Sequence, residues 1–146
     1  GATNAPLPPA ARPLAQRAGN MRMVVVGAHL TGQPLNRQLT DLSGMLVRAC
    51  KTAPEYRLFA LPNTAPPKPG LVRVSSGGAA IEVEVWELTT EGFGEFMKGV
   101  PAPMSIGTLV LEDGERVHGF TCEPVALEGA TDITEFGGWR AYLASR

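Results

Sequence analysis

The residue whose type and position best suit chemistry is His29, which lies in a short loop of small residues, Gly27–Gly32. The loop follows Met23–Val26, four consecutive apolar residues that predict a strand buried on both faces. Loops that leave a buried strand often carry sites, because the strand holds them rigidly and their backbone N–H groups are free to bind anions. A histidine there can transfer a proton near neutral pH, or it can simply hydrogen-bond to the backbone. Position alone leaves both interpretations open.

Two other glycine-rich patterns have simpler explanations. Gly27 and Gly32 have the spacing of a phosphate-binding loop, but Gln33 and Pro34 follow where the motif requires lysine and serine or threonine. Nucleotide hydrolysis is therefore rejected. Ser75–Gly78 resembles the serine-glycine stretch of amidase-signature enzymes, yet it lies between two alternating segments, and turn composition explains it completely.

The sequence predicts no metal site. His29 and His118 share no ligand spacing with each other or with the cysteines, and His118 is expected to face solvent from a hairpin strand. Cys50 and Cys122 are too few and too far apart for a disulfide scaffold or a zinc knuckle. We expect them to be buried free thiols of a cytoplasmic protein.

Composition limits the class of protein. The chain has 146 residues, 44% of them hydrophobic, and a formal net charge of −1. This is the size of one domain with a real core. The absence of a basic excess argues against nucleic-acid binding, and no apolar run approaches the roughly 18 residues that a membrane span needs. The N-terminus lacks the charged and apolar regions of a secretory signal, which is consistent with a cytoplasmic location.

The first twenty residues differ from the rest. Residues 1–20 contain four prolines, six alanines and no acidic residue, a composition that favours extended chain over a packed core. We interpret them as a linker or tail, and a junction to a preceding domain is one interpretation. Residues 21–146 are predicted to form the globular domain.

The remaining patterns predict strands and short helices that would position the loop. Helices are expected from Pro34 onward and after Thr89 or Thr90, where Phe93, Phe96 and Met97 share a face. Asp132 and Glu135 have the spacing of an N-terminal capping arrangement. Besides Met23–Val26, the expected strands are Met45–Cys50, Tyr56–Leu61, Leu71–Val74, Ala80–Leu88, Thr108–Glu112 and Glu115–Glu123.

These strands predict an α+β fold. Turns at Ser75–Gly78 and at Asp113-Gly114 predict two β-hairpins. The strand Ala80–Leu88 alternates apolar and polar residues and is expected to be buried on one face only. Because most neighbouring strands are joined by hairpins, we predict a small mixed β-barrel with short peripheral helices.

The loop and three further segments carry a family resemblance. Val26–Leu30 resembles the Tyr-Gly-Ser-Asn-Leu signature of the γ-glutamylcyclotransferase-like fold, a small mixed β-barrel whose signature loop supplies backbone amides to a substrate carboxylate. The chain resembles more closely one branch of that fold, the C-terminal domain of allophanate hydrolase. The segments that carry this resemblance are Val25–Asn36, Ala80–Leu88, Pro101–Gly107 and Asp132–Tyr142.

The resemblance implies a function. An amidase domain of the same polypeptide would deaminate allophanate to N-carboxycarbamate, and this domain would help to break that small anion down to ammonia and carbon dioxide. His29, at the asparagine position of the signature, is implied as the catalytic residue. No cofactor is required, because loss of carbon dioxide from nitrogen needs only a proton. The residues implied to bind the substrate are Gly27, Ala28, Leu30, Thr31 and Gly32.

One departure from the fold family separates its branches. Counted without gaps from Trp86, the acid-base glutamate of true cyclotransferases falls at Val100, which cannot transfer a proton. Two alternatives remain open. The domain could be a non-catalytic module that holds the hydrolase in an oligomer such as a homodimer. It could also be a cyclotransferase that uses Glu82 or Glu84 as its carboxylate.

Overall fold

Two β-sheets and three short helices make up the described part of the chain, residues 19–146 of a computed structural model. The linker prediction falls on residues 1–20, most of which lie outside the described residues, and it stays a prediction. The strands are β1 (Asn20–Val25), β2 (Met45–Lys51), β3 (Tyr56–Ala60), β4 (Pro69–Arg73), β5 (Glu82–Thr89), β6 (Met104–Val110), β7 (Arg116–Cys122) and β8 (Thr131–Asp132). The α-helices are α1 (Arg37–Thr40), α2 (Thr90–Lys98) and α3 (Trp139–Ala144), and 3₁₀ turns occupy Pro124–Leu127 and Thr134–Phe136.

The larger sheet is built around β1. Its strand order is β2-β5-β1-β7-β6, with β1 and β7 parallel and the other neighbours antiparallel. Met23, Val24 and Val25 have no exposed surface, which confirms that the apolar run is a central strand. The chain leaves this rigid strand directly into the Gly27–Gly32 loop.

The predicted α+β class is confirmed, but the strands do not close into a barrel. A separate three-stranded sheet has the order β4-β3-β8. The edge strands β2 and β6 of the larger sheet approach each other just beyond their ends, through a single bridge between Thr52 and Leu111. The turn at Pro54 carries the chain from β2 into the second sheet, so no continuous ladder can form between the two edges.

One predicted hairpin is wrong. The segments on either side of Ser75–Gly78 are β4 and β5, which lie in different sheets and do not pair. The turn instead packs on the start of β3, where a Cβ atom at Gly78 would lie 2.6 Å from the carbonyl carbon of Glu55. Turn composition marks a reversal of the chain but does not say which strand it returns to. The hairpin around Asp113-Gly114 does form, between β6 and β7.

The expectation of a half-buried strand at β5 is also wrong. Glu84 and Trp86, predicted to face solvent, are 4% and 5% exposed. On this face of β5, Thr31 and Arg140 hydrogen-bond to Glu84, and a Cβ atom at Gly138 would lie 2.9 Å from Cβ of Glu82. The alternation of apolar and polar residues therefore assigns side chains to the correct faces of β5. It could not show that Glu84 and Trp86, on the polar face, are also buried.

The helices agree in part with the sequence patterns. Thr89 caps α2, with its hydroxyl accepting a hydrogen bond from the N–H of Gly92 at 2.9 Å, and Phe96 is buried. The helix expected after Pro34 is only one turn long, at α1. Oδ1 of Asp132 accepts a hydrogen bond from the N–H of Thr134 at 3.0 Å, at the start of the 3₁₀ turn Thr134–Phe136. No helix of the described residues is long and apolar enough to cross a membrane.

Candidate functional site

The loop after β1 opens with a turn whose carbonyl groups are engaged. Leu30 N–H donates to the carbonyl of Gly27 at 3.0 Å, Leu35 N–H donates to that of Ala28 at 2.8 Å, and the Asn36 side chain donates to that of His29 at 2.9 Å. The N–H groups of Ala28 and His29, at the centre of the turn, have no acceptor among residues 19–146. Because the carbonyl groups are hydrogen-bonded and the two N–H groups are free to donate, this turn could bind an anion.

Gly27 is required by close packing. A Cβ atom there would lie 2.2 Å from Cδ and 2.5 Å from Cγ of Pro69, the first residue of β4. Any larger residue must push the proline ring away, so Gly27 joins the exit of β1 to the start of the second sheet. A substitution at Gly27 would disturb this packing as well as any bound ligand.

The His29 ring is held between two phenylalanines. It stacks on Phe120 of β7, with centroids 5.1 Å apart and planes at 11°, and meets Phe96 of α2 at 5.1 Å and 65°. Its Nε2 lies 2.8 Å from Oε1 of Gln38 on α1. Three elements thus fix the ring, and its hydrogen bond is to a side chain, not to the backbone.

The environment of His29 favours its neutral form. Burial lowers the pKa of the imidazole, the hydrogen bond with Gln38 opposes that shift, and the positive charge of Lys68 lowers the pKa further. With the pKa below its ordinary value of about 6.5, the ring is neutral at pH 7. It can therefore accept a proton when an anion arrives.

A small cavity of about 80 Å³ opens beside this ring. Most of its walls are apolar, and Val100, in the position counted for the cyclotransferase glutamate, is one of them. None of the described residues lining it is aspartate or glutamate. The residues that line it are Val26, Gly27, Ala28, His29, Leu35, Gln38, Lys68, Pro69, Phe96, Gly99, Val100, Pro101, Met104 and Phe120.

The predicted site residues divide into two groups, which we call the open half (Gly27–His29) and the anchored half (Leu30–Gly32) of the loop. The open half lines the cavity. In the anchored half, Leu30 is fully buried in the core, whereas Thr31 and Gly32 are exposed and lie outside the cavity lining.

The anchored half is held by a buried carboxylate. Oε1 of Glu84 accepts hydrogen bonds from the N–H and the hydroxyl of Thr31, at 2.9 and 3.0 Å, and from Nε1 of Trp86 at 3.0 Å. Arg140 of α3 donates to Oε2 of Glu84 at 2.9 Å and to the Thr31 carbonyl at 2.8 Å. Burial opposes ionisation of Glu84, but these hydrogen bonds outweigh it and lower its pKa, so the carboxylate stays charged.

The two carboxylates considered for cyclotransferase chemistry are therefore engaged elsewhere. Glu84 binds Thr31, Trp86 and Arg140, and Glu82 lies 3.1 Å from the same arginine. Neither lines the cavity. Glu84 stabilises the loop from behind instead of facing a ligand.

Sequence reasoning missed Lys68, Gln38 and the two phenylalanines of the site. Lys68 lies in a proline-rich segment outside the predicted strands and helices, and it lines the cavity next to Pro69, which packs against Gly27. No local pattern could have found it, since the other cavity residues, apart from the adjacent Pro69, lie at least 28 positions away in sequence. Phe96 was predicted on the buried face of its helix, but not beside His29.

The other candidate groups lie away from the cavity. His118 is exposed on β7. Cys50 and Cys122 are free and half-buried, and burial raises the pKa of both thiols. No cluster of three or more histidine, cysteine, aspartate or glutamate residues within the described range could hold a metal ion.

Comparisons with known proteins agree with the resemblance. The family model of the allophanate hydrolase C-terminal domain matches residues 21–144. A urea amidolyase from Saccharomyces cerevisiae is 45% identical over 128 residues, which is 85% of this chain and 7% of that protein. The chain thus spans less than a tenth of the length of that curated relative.

Solved structures show the same relationship. A Kluyveromyces lactis allophanate hydrolase matches with a TM-score of 0.84 and 42% identity, over 86% of this chain and 21% of that one. A gamma-glutamyl cyclotransferase matches with a TM-score of 0.54 and 9% identity, over 71% of this chain and 67% of that one, which shows likeness of fold alone. The family model and the sequence identity together show that this chain belongs to the allophanate hydrolase C-terminal domain family.

Proposed function

We propose that this domain binds N-carboxycarbamate and promotes its breakdown, as part of a hydrolase whose amidase domain produces that anion from allophanate. Family membership supports the connection to allophanate, since the relatives are named urea amidolyase and allophanate hydrolase. The observation that carries the proposal is the cavity itself. It is lined by Ala28 and His29, whose backbone N–H groups have no acceptor in the described chain, and burial lowers the pKa of the His29 ring. No carboxylate is among its described lining residues to repel an anion.

The reaction requires a proton at nitrogen. In the dianion ⁻OOC–NH–COO⁻, one C–N bond breaks, its electron pair stays on nitrogen, and nitrogen takes up a proton. The products are carbon dioxide and carbamate, which in turn releases ammonia and carbon dioxide. A general acid within reach of the nitrogen therefore accelerates the step, typically by about 10²–10⁴-fold.

His29 becomes that acid when the ligand binds. The free imidazole is neutral because burial and Lys68 lower its pKa. A dianion in the cavity has the opposite effect, since nearby negative charge favours the imidazolium. His29 then takes a proton from solvent and donates it to the nitrogen, while the N–H groups of Ala28 and His29 hold a carboxylate.

The test follows the decay of freshly generated N-carboxycarbamate. An amidase supplied with allophanate produces the anion, which is mixed rapidly with buffer or with this 146-residue chain, and carbon dioxide release is recorded. We expect release to be faster with the chain and to saturate as the anion concentration rises. Equal rates with and without the chain would contradict a catalytic role.

A second candidate function is a non-catalytic module that holds an oligomer. It is favoured by the edge strand β2, where Met45 and Leu46 are 63% and 45% exposed. Exposed apolar residues on a sheet edge often mark a contact between proteins. Sedimentation of the wild-type chain and of a Met45→Lys, Leu46→Lys variant tests it, because a dimer formed through this edge would dissociate.

A further inference from the structure

Lys68 stands out among the residues that line the cavity. It is the one described lining residue with a permanent charge, and its ammonium group makes no ion pair or hydrogen bond with residues 19–146. Its backbone is nevertheless held firmly. Its N–H donates to the hydroxyl of Thr64 at 2.9 Å, and its carbonyl accepts from Leu61 N–H at 3.1 Å. The next residue, Pro69, packs against Gly27.

Lys68 also marks the mouth of the cavity. A more open groove of about 320 Å³ lies between the proline-rich loop at 61–65 and the segment 101–103. Lys68 and Pro101 line both the groove and the inner cavity, so the two spaces meet at these residues. Glu128 lines the outer groove but forms no ion pair with Lys68.

The ammonium group and the open half of the loop offer two places for negative charge. Lys68 lines the same cavity as Ala28 and His29, and its positive charge lowers the pKa of the His29 ring. The cavity of about 80 Å³ is well above the roughly 10–15 Å³ that a single water needs, so it has room for a small ligand. Apolar walls strengthen both attractions, because they keep the effective dielectric constant low.

We propose that Lys68 is a specificity-determining residue that binds the second carboxylate of a ligand whose first carboxylate is held by the N–H groups of Ala28 and His29. The site would then select short dicarboxylates over monocarboxylates. This role rests on the proposed function and adds to it the residue that sets the charge preference. It also explains why an unpaired cation is maintained beside a histidine whose protonation it opposes.

The test compares two probes of nearly equal shape. Malonate carries two carboxylates and a CH₂ group in place of the NH of N-carboxycarbamate, whereas monomethyl malonate carries one carboxylate and one neutral ester. Calorimetric titration of the full chain with each probe gives two dissociation constants for wild type, Lys68→Met, Lys68→Arg and Lys51→Met. Lys51 is exposed on β2 and controls for the loss of a surface charge.

We expect wild type to bind malonate more tightly than the monoester. Lys68→Met should weaken malonate binding by about ten- to a hundredfold, the usual range for losing a charged hydrogen-bond partner. It should change monoester binding by less than about threefold. Lys68→Arg should recover most of the malonate affinity, and Lys51→Met should match wild type.

Failure of the proposed role of Lys68 can be distinguished from failure of the proposed function. If Lys68→Met weakens the binding of both probes equally, or of neither, Lys68 does not bind the second carboxylate, while the proposed function still stands. If wild type binds neither probe, the proposed function is overturned, and the role of Lys68 with it. Circular dichroism and a melting curve for each variant show whether it is folded. Should Lys68→Met fail to fold, the salt dependence of wild-type binding decides, since two-point charge recognition requires a steeper loss of affinity for malonate than for the monoester.

Discussion

The two halves of the Gly27–Gly32 loop differ in the hydrogen bonding of their central residues, Thr31 in one half and Ala28 and His29 in the other. In the anchored half, the N–H, hydroxyl and carbonyl of Thr31 are all bonded to Glu84 or Arg140. In the open half, the carbonyls are bonded, but the N–H groups of Ala28 and His29 have no acceptor in the described chain. Unbonded N–H groups keep their direction only if the adjoining backbone is held rigidly. The ion pair of Glu84 and Arg140 therefore supports a site to which it contributes no lining residue.

The first prediction concerns a substitution that removes an ion pair behind the anchored half. Arg140→Leu leaves the carboxylate of Glu84, whose side chain is 5% exposed, without its cationic partner. Breaking a buried pair costs about 3–5 kcal/mol, and we expect about 3 kcal/mol because the Arg140 side chain is 35% exposed. Urea denaturation at pH 7 measures the unfolding free energy. Arg146→Leu, at the exposed C-terminus, should change it by less than about 0.5 kcal/mol.

This first comparison also tests the link between the two halves. If the anchored half holds the open half in place, folded Arg140→Leu should bind malonate more weakly than wild type. Undiminished malonate binding in a destabilised variant would show that the two halves are independent.

The second prediction concerns the open half. His29→Ala should slow the breakdown of N-carboxycarbamate by about a hundredfold or more, the usual contribution of a general acid or base. His29→Asn should be nearly as slow, because an amide does not titrate near neutral pH. His118→Ala, which removes an exposed histidine outside the cavity, is the control and should retain the wild-type rate.

The effect on folding stability distinguishes the His29 variants from Arg140→Leu. The His29 ring is only partly buried, so His29→Asn should unfold at nearly the wild-type urea concentration. Variants of His29 that keep full activity but lose an oligomeric state would favour the module that holds an oligomer.

The third prediction concerns the protonation of His29 when an anion binds. Binding of a dianion to neutral His29 should be accompanied by proton uptake, by up to about one proton for each malonate near pH 7. Titration calorimetry in buffers of different ionisation enthalpy measures this number directly. The uptake should disappear in His29→Asn. Uptake that persists in that variant would locate the titrating group elsewhere.

The smallest expected effect is the pH dependence of stability. Because the pKa of folded His29 is below its unfolded value of about 6.5, the unfolded chain binds more protons in that range. The unfolding free energy should therefore fall as the pH drops from about 6.5 through the folded pKa. Glu84 adds a loss at lower pH, since its lowered pKa stabilises the fold above about 4.5 and this contribution disappears on acidification. His29→Asn should remove the first decline and leave the second.

The sequence by itself determined the elements that depend on near neighbours. The apolar run at β1, the threonine cap of α2 and the turn between β6 and β7 were predicted because each pattern is complete within a few residues. The same locality made the loop at Gly27 visible, with His29 at its centre. The family could also be recognised from the four segments that carry its pattern.

The tertiary structure decided everything that depends on which segments meet. It separated β4 from β5, buried Glu84 under Arg140, and brought Lys68 to His29 across 39 positions of sequence. Alternation and turn composition constrain the chain only over a few residues, whereas strand partners and buried ion pairs arise from contacts between distant residues. The histidine of the site could therefore be chosen from the sequence, but its protonation, its cationic neighbour and the carboxylate behind its loop could not.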